Sequence, residues 1–222
     1  MESSRYPEAA FLAAVTASTT HEVRNVLSII KESAGLVEDI VRLSRRRGVL
    51  DEEKVSRTVA RIDAQVKRGA DLLTHLNRLS HTLDHDRARV DLRQEVELAL
   101  VLSQRLAAKK GQGTAMGPSR GQVLVTLSPL RLQMVLFAAV ELCVDAAPEG
   151  ASIVVEVWPG EDEDGGVVEF RGAREVAEEI EWPSDGDEWS RLANEARGWG
   201  ARLEVSEGGE ALRILFPQEA VG

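Results

Sequence analysis

Two long amphipathic helices near the N-terminus constrain what this chain can fold into more than any other feature. Across residues 23–41 the apolar positions recur in alternating steps of four and three, which places them on one side of a helix. The same spacing returns across residues 55–76. Gly48 ends the first helix, and Asp51 is a good N-cap for the second. The sequence therefore predicts a long antiparallel helical hairpin.

In a hairpin of two helices, each helix can cover only part of the apolar stripe of the other, so apolar surface remains exposed. Pairing with a second copy of the chain buries the remaining apolar surface in a four-helix bundle. We therefore expect a homodimer.

The pattern changes after the hairpin. Short β-prone runs bounded by Gly and Pro alternate with amphipathic helices at about 93–109 and 129–147, and 111–122 is predicted to be a loop. The predicted strands are 90–92, 122–127, 153–158, 167–170, 202–205 and 212–216, with a further helix over 188–198. The fold class is thus α + α/β: a helical hairpin over residues 1–86, then an α/β sandwich over residues 87–222.

The composition limits the classes of partner and the cellular compartment that we expect for this protein. Residues 91–222 hold 24 acidic and 12 basic residues, a net charge of −12, whereas residues 1–90 carry +2, so we expect no nucleic-acid partner. No stretch approaches the roughly 20 apolar residues of a membrane span, and the N-terminus lacks the basic region of a secretory signal. With one cysteine, Cys143, and hence no intrachain disulfide, we expect a cytoplasmic protein.

The first helix carries a histidine on the side away from its apolar stripe. With Val23 at heptad position a, His21 falls at the outward position f. Glu22 is adjacent, and Asn25 lies one turn further along the same outer face.

This group suits phosphoryl chemistry. A neutral imidazole nitrogen is a nucleophile near pH 7, and its attack on phosphorus forms a phosphoramidate. A neighbouring carboxylate can hold the proton of the other ring nitrogen, as in a hydrolytic triad, and an amide one turn away is suited to orient the incoming group or a water. The alternative at this point is an inert exposed histidine on a polar helix face.

The segment His21-Glu22-Val23-Arg24-Asn25-Val26-Leu27 closely resembles the H-box of the dimerisation and histidine-phosphotransfer domain of bacterial sensor histidine kinases. That family shows His-Glu-hydrophobic-Arg-Asn-Pro-Leu, and only the proline is replaced here, by Val26. The resemblance implies that His21 is the phospho-acceptor, Glu22 its acid/base partner and Asn25 a helper in transfer or dephosphorylation.

Residues 87–222 resemble the ATP-binding domain of the same kinases, but only in their framework. Where the family's N-box has asparagines that bind Mg²⁺ and phosphates, this sequence has Ala138 and Leu142. No Asp-x-Gly-x-Gly follows the strand 167–170, and only 171–187 joins that strand to the last helix. We therefore expect no ATP binding, and no cofactor or metal held by this chain.

A kinase-like body that keeps the histidine and lacks the nucleotide motifs resembles the dimeric histidine phosphotransferases of the ChpT and sporulation-relay types. The resemblance implies a phosphorelay protein that passes a phosphoryl group between aspartates of response-regulator receiver domains, or from a hybrid histidine kinase, with Mg²⁺ supplied by the receiver. Four residues around the acceptor are expected to contact the receiver: Ser18, Arg24, Ser28 and Lys31.

Two other functions stay open. One is a histidine kinase core with autokinase activity, and the other is a non-catalytic dimeric scaffold or regulator of a two-component kinase. A metal site at His81 and His85, four residues apart, is not expected because no cysteine or carboxylate set completes it.

Overall fold

The computed structural model describes residues 8–119, 121–160, 165–173 and 180–219. Its helices and strands follow in this order: α1 (Glu8–Arg47), α2 (Glu52–His81), β1 (Ala88–Asp91), α3 (Leu92–Lys109), β2 (Gly113–Ser119), β3 (Leu124–Leu127), α4 (Pro129–Ala146), β4 (Ser152–Pro159), β5 (Gly166–Gly172), α5 (Gly186–Arg197), β6 (Arg202–Val205) and β7 (Ala211–Phe216). The predicted fold class, a helical hairpin followed by an α/β domain, is confirmed.

The turn between the two long helices forms as the sequence predicts. Gly48 adopts a φ of 75°, the left-handed conformation that favours glycine, and its amide donates to the Ser44 carbonyl. Asp51 caps α2, because its Oδ1 accepts a hydrogen bond of 2.9 Å from the Lys54 amide. Glu52 and Glu53 follow in the first turn, where the helix dipole favours anions.

By its contacts the chain forms two compact units. Unit 2 is Thr16–Asn77, the greater part of the hairpin. Unit 1 combines the N-terminal residues up to Val15 with Arg78–Gly222. The domain boundary predicted after residue 86 lies inside unit 1.

Inside unit 2, α1 buries residues that recur at intervals of seven: Thr19, Val26, Ser33 and Ile40. Thr58 and Leu72 are buried on α2. The hairpin interface therefore mixes aliphatic side chains with small hydroxyl side chains.

Unit 1 is built around a five-stranded mixed sheet of order β2-β4-β5-β7-β6. β2 and β4 run parallel, whereas the β4–β5, β5–β7 and β7–β6 pairs are antiparallel. β1 and β3 form a separate antiparallel pair. One sheet face supplies the core together with α3, α4 and α5, through side chains such as Val155, Phe170 and Ile214.

One predicted element is wrong. Residues 111–122 were expected to be a loop because they are rich in Gly and carry Pro118. Instead β2 occupies Gly113–Ser119 and extends the sheet beside β4. At Gly117 an added Cβ would lie 2.5 Å from the Glu156 side chain on β4. β2 therefore needs a glycine at this position to lie beside β4. The tertiary contact overrides the weak strand propensity of this segment.

A second apolar cluster in unit 1 includes the first turns of α1. Phe11 and Val15 pack with Leu79 at the end of α2 and with buried residues of α3 and α4. A buried polar group lies on the same helices: the Glu95 carboxylate accepts from Arg78 at 2.5 Å and from the Gln133 side-chain amide at 2.6 Å. Because both oxygens have donors, the carboxylate is buried at reduced cost.

Candidate functional site

The candidate acceptor lies in unit 2, on the continuous helix α1. His21 is exposed, as its heptad position predicts, whereas Thr19 and Val26 on the opposite side of the helix are buried. The imidazole makes no hydrogen bond with any other side chain that the structure describes. A nucleophilic nitrogen in this position is open to a macromolecular partner.

Glu22, the neighbour of His21, has a partner that the sequence analysis missed. Its side chain is only 20% exposed, and its Oε2 accepts a hydrogen bond of 2.9 Å from Nη2 of Arg68 on α2. The carboxylate of the residue next to the acceptor in sequence is thereby tied to the second helix. The predicted acid/base residue is therefore fixed by a cation from the second helix. The sequence did contain a sign of this pair. Arg68 lies next to Gly69, which belongs to the apolar stripe of α2, so its side chain can reach an acidic residue that borders the apolar stripe of α1.

The two helices approach closely at this level. A Cβ built on Gly69 would lie 3.2 Å from Cγ1 of Val26, which is tighter than most carbon contacts. Val26 is the residue that replaces the proline of the H-box pattern. It is buried and lies within a continuous helix, where a proline would remove a backbone hydrogen bond.

The remaining predicted site residues lie along α1. Asn25, Arg24, Ser28 and Lys31 are exposed, and Ser18 is half-buried. The Ser28 hydroxyl donates to the Arg24 carbonyl at 3.1 Å, so its hydrogen is engaged within the helix while its oxygen can still accept. These residues form a polar surface within three turns of His21.

In unit 1, the two positions that the sequence resemblance places at the N-box asparagines belong to α4. Leu142 is buried in the core between the sheet and the helices, and Ala138 packs against that core. Both side chains are aliphatic and provide no oxygen ligand for Mg²⁺.

The sequence between β5 and α5, residues 173–185, contains no glycine. Residues 174–179 of this connection lie outside the described residues. Ile180 and Trp182, which follow, are buried in the same core as Leu142. The described end of the connection is thus part of the packing of the domain.

Two other histidines have hydrogen-bonding neighbours of their own. His75 Nδ1 lies 2.6 Å from the Asp71 carbonyl oxygen, and His81 Nδ1 lies 2.8 Å from Oδ2 of Asp84. Within the part of the chain that the structure describes, no three His, Cys, Asp or Glu side chains are grouped so as to hold a metal ion. None of the described helices is both long and apolar enough to cross a bilayer.

No family model matches this sequence, and no curated protein matches it. Histidine kinases are among the solved structures similar to it. The nucleotide-free catalytic domain of histidine kinase ThkA aligns with 62% of this chain and 100% of its own, at 15% identity and a TM-score of 0.48. Acinetobacter baumannii histidine kinase AdeS aligns over 89% of this chain and 98% of its own, at 13% identity and a TM-score of 0.46.

A third solved structure is ThkA in complex with the response regulator TrrA. It aligns over 95% of this chain and 63% of that chain, at 17% identity and a TM-score of 0.45.

Proposed function

We propose that this chain is a histidine phosphotransfer protein of a two-component phosphorelay, and that it carries the phosphoryl group on His21. The observation that supports this most is the exposed imidazole next to a carboxylate held in place, with the Asn25 amide one turn further along the helix. An inert surface histidine needs neither neighbour.

The proposed step is an in-line displacement at phosphorus. The lone pair of a neutral His21 ring nitrogen forms the N–P bond while the P–O bond to the receiver's aspartate breaks, and the aspartate leaves as a carboxylate. The second ring nitrogen keeps its proton, and Glu22 stabilises the cationic phosphoimidazole that results. Transfer to a second receiver reverses these bonds. The Mg²⁺ that screens the phosphoryl oxygens comes with the receiver.

The alternative of an autokinase is disfavoured by α4. A nucleotide triphosphate needs Mg²⁺ and polar ligands, whereas the corresponding positions carry the aliphatic side chains of Ala138 and Leu142. Leu142 contributes to the packing of the core, so a polar side chain there would also cost stability. We therefore propose that the phosphoryl group reaches His21 from another protein.

We further propose that the working form is a homodimer. Apolar side chains at intervals of seven on α2 are about half-exposed: Val59, Val66 and Leu73. Leu27 on α1 is 59% exposed and Val41 is also exposed. Large apolar side chains repeated along two helices indicate a surface that a second copy covers in a four-helix bundle.

The partners that fit the acceptor surface are receiver domains of response regulators or of a hybrid histidine kinase. A receiver presents its phosphorylated aspartate among acidic residues, and Arg24 and Lys31 are exposed cations near His21. Ser18 and Ser28 add hydrogen-bonding groups at the same surface. Since such partners act in the cytoplasm, we place this protein there as well.

The test is phosphoryl transfer to the purified chain. Receiver domains phosphorylated with labelled phosphate are mixed with the protein, and a parallel sample receives labelled ATP alone. We expect rapid labelling from at least one receiver, no labelling from ATP, and a phosphorylated product that is labile in acid and stable in alkali. His21→Ala should abolish labelling, whereas the matched variant His75→Ala, in the same hairpin, should keep it.

Other outcomes identify the other functions. Labelling by ATP without a receiver indicates an autokinase, which contradicts the proposal. If the labelled receivers leave the wild-type chain unmodified and His21→Ala keeps its effect on a partner kinase, the chain is a scaffold or regulator.

A further inference from the structure

One ion pair in unit 2 joins the two helices instead of running along one of them. Nη2 of Arg68 on α2 donates to Oε2 of Glu22 on α1 at 2.9 Å, across 46 residues of sequence. The other ion pairs described in this unit connect residues three or four apart on a single helix: Arg42–Asp39, Arg57–Glu53 and Lys67–Asp63. The exceptional pair is the one that includes the neighbour of the candidate acceptor.

We propose that Arg68 is a positioning residue for phosphoryl transfer and that it acts by holding the Glu22 carboxylate beside His21. This inference rests on the proposed function. The guanidinium bonds to Oε2, and Oε1 has no hydrogen bond with another residue that the structure describes. A charge-assisted bond restricts the rotamers of the carboxylate, so the second oxygen is kept available for the imidazole N–H.

The separation of the helices supports this role. Gly69 follows Arg68 and lets α2 approach Val26, one turn beyond Glu22 on α1. The guanidinium therefore reaches the carboxylate from the second helix. Arg68 is only partly exposed, at 42% of its side chain, which agrees with a position at the side of the hairpin. Arginine suits this role because its planar guanidinium gives a directional bond and stays protonated at any working pH.

A double-mutant cycle tests the inference. Arg68→Ala, Glu22→Gln and the double variant are compared in single-turnover transfer, using whichever labelled receiver phosphorylates the wild-type chain fastest. Loss of an acid/base residue slows such steps by roughly a hundredfold or more. We expect Arg68→Ala to slow transfer at saturating receiver about tenfold, with the half-saturating receiver concentration unchanged. The double variant should be no slower than Glu22→Gln, because Arg68 acts through Glu22.

The matched control is Arg61→Ala, one heptad earlier on α2, whose exposed side chain has no ion pair among the described residues. Its transfer rate should equal that of the wild type. Arg68→Lys should recover part of the rate, since it restores the charge without the fork. The circular dichroism spectrum of each variant, recorded at the assay temperature, establishes that the helices are folded.

Each result has a distinct meaning. Suppose that the wild type is labelled and Arg68→Ala transfers at the wild-type rate, or that the double variant is slower than Glu22→Gln by the same factor as Arg68→Ala is slower than the wild type. In either case the inference is wrong and the proposed function stands. If Arg68→Ala changes only the half-saturating concentration, Arg68 contacts the receiver and does not position Glu22. If no receiver labels the wild type, the proposed function is wrong and this inference is wrong with it.

Discussion

The ring of Phe11 in α1 meets the ring of Phe137 in α4 edge to face, with centroids 5.6 Å apart and planes inclined at 79°. Both rings are buried, and Val15 and Leu79 belong to the same apolar cluster. The first turns of α1 are therefore packed into unit 1 by an aromatic pair of favourable geometry.

Truncating this pair should destabilise unit 1. Phe11→Ala removes a buried ring, and we expect the free energy of unfolding to fall by about 3 kcal/mol. Phe11→Leu retains most of the apolar volume and should cost about 1 kcal/mol. All four tryptophans lie in residues 158–199 of this unit, so urea unfolding followed by their fluorescence reports the effect. Equal stability of the three proteins would contradict the packing described.

The buried Glu95 carboxylate depends on its two donors. Gln133→Leu keeps a side chain of similar size but leaves Oε2 without the bond of 2.6 Å. An unsatisfied buried group costs about 1–3 kcal/mol, and we expect a loss within this range in the free energy of unfolding. The control Gln104→Leu, on the exposed side of α3, should change it by less than about 0.5 kcal/mol. Similar losses for both variants would show that the bond contributes little.

The two glycines inside the long helices should respond differently to alanine. Gly35 has open space around its missing Cβ, so Gly35→Ala should raise the free energy of unfolding by about 0.5–1 kcal/mol through helix propensity. At Gly69 the new methyl group meets Val26, and the crowding offsets that gain. Thermal unfolding followed by circular dichroism compares them. An equal gain at both positions would mean that the helices do not approach closely at Gly69.

The proposed dimer predicts a sensitive position on α2. Val66 is 52% exposed in the single chain and lies in the middle of the half-exposed stripe. Placing a carboxylate there in a dimer buries unpaired charge on both copies, so Val66→Glu should yield a monomer. Val49→Glu, at the turn, should stay dimeric. Sedimentation velocity distinguishes the two states, and a wild-type chain that sediments as a monomer would refute the dimer.

Burial raises the pKa of the Cys143 thiol well above its usual value. The folded chain therefore keeps this proton when the unfolded chain releases it near pH 8.5, its approximate ordinary pKa. Since the folded state then binds more protons, the free energy of unfolding should fall as the pH rises above that value, by at most about 1.4 kcal/mol per pH unit.

The measurement is urea unfolding at pH 7.5 and 10 for the wild type and Cys143→Val. Valine fills a similar volume and does not ionise, so the additional loss at high pH should disappear. If both proteins lose stability equally, the thiol is not the cause.

Much of the fold follows from local patterns. The stop at Gly48, the cap at Asp51 and the strands β6 and β7 lie where the sequence predicts, because each depends on neighbouring residues alone. β2 could not be predicted, since the requirement for Gly117 comes from Glu156 on a strand distant in sequence. The burial of Thr19 and Ser33 was also missed, because hydroxyl side chains give no apolar signal.

The candidate site divides in the same way. The outward direction of His21 follows from the helical period, which is a local property. The partner of Glu22 depends on the register between α1 and α2, and heptad spacing does not determine that register. The roles of His21, Glu22 and Asn25 stay predictions until transfer is measured.

The form of β2 limits strand-to-strand pairing with a second copy of the chain. β2 is the outer strand on one side of the described sheet, its pairing with β4 shifts register between Met116 and Ser119, and Pro118 lacks an amide hydrogen. Such an irregular border is a poor template for an incoming strand. Fibre-like stacking through this side of the sheet is thereby discouraged, and the dimer that we propose uses instead the exposed apolar side chains of α1 and α2.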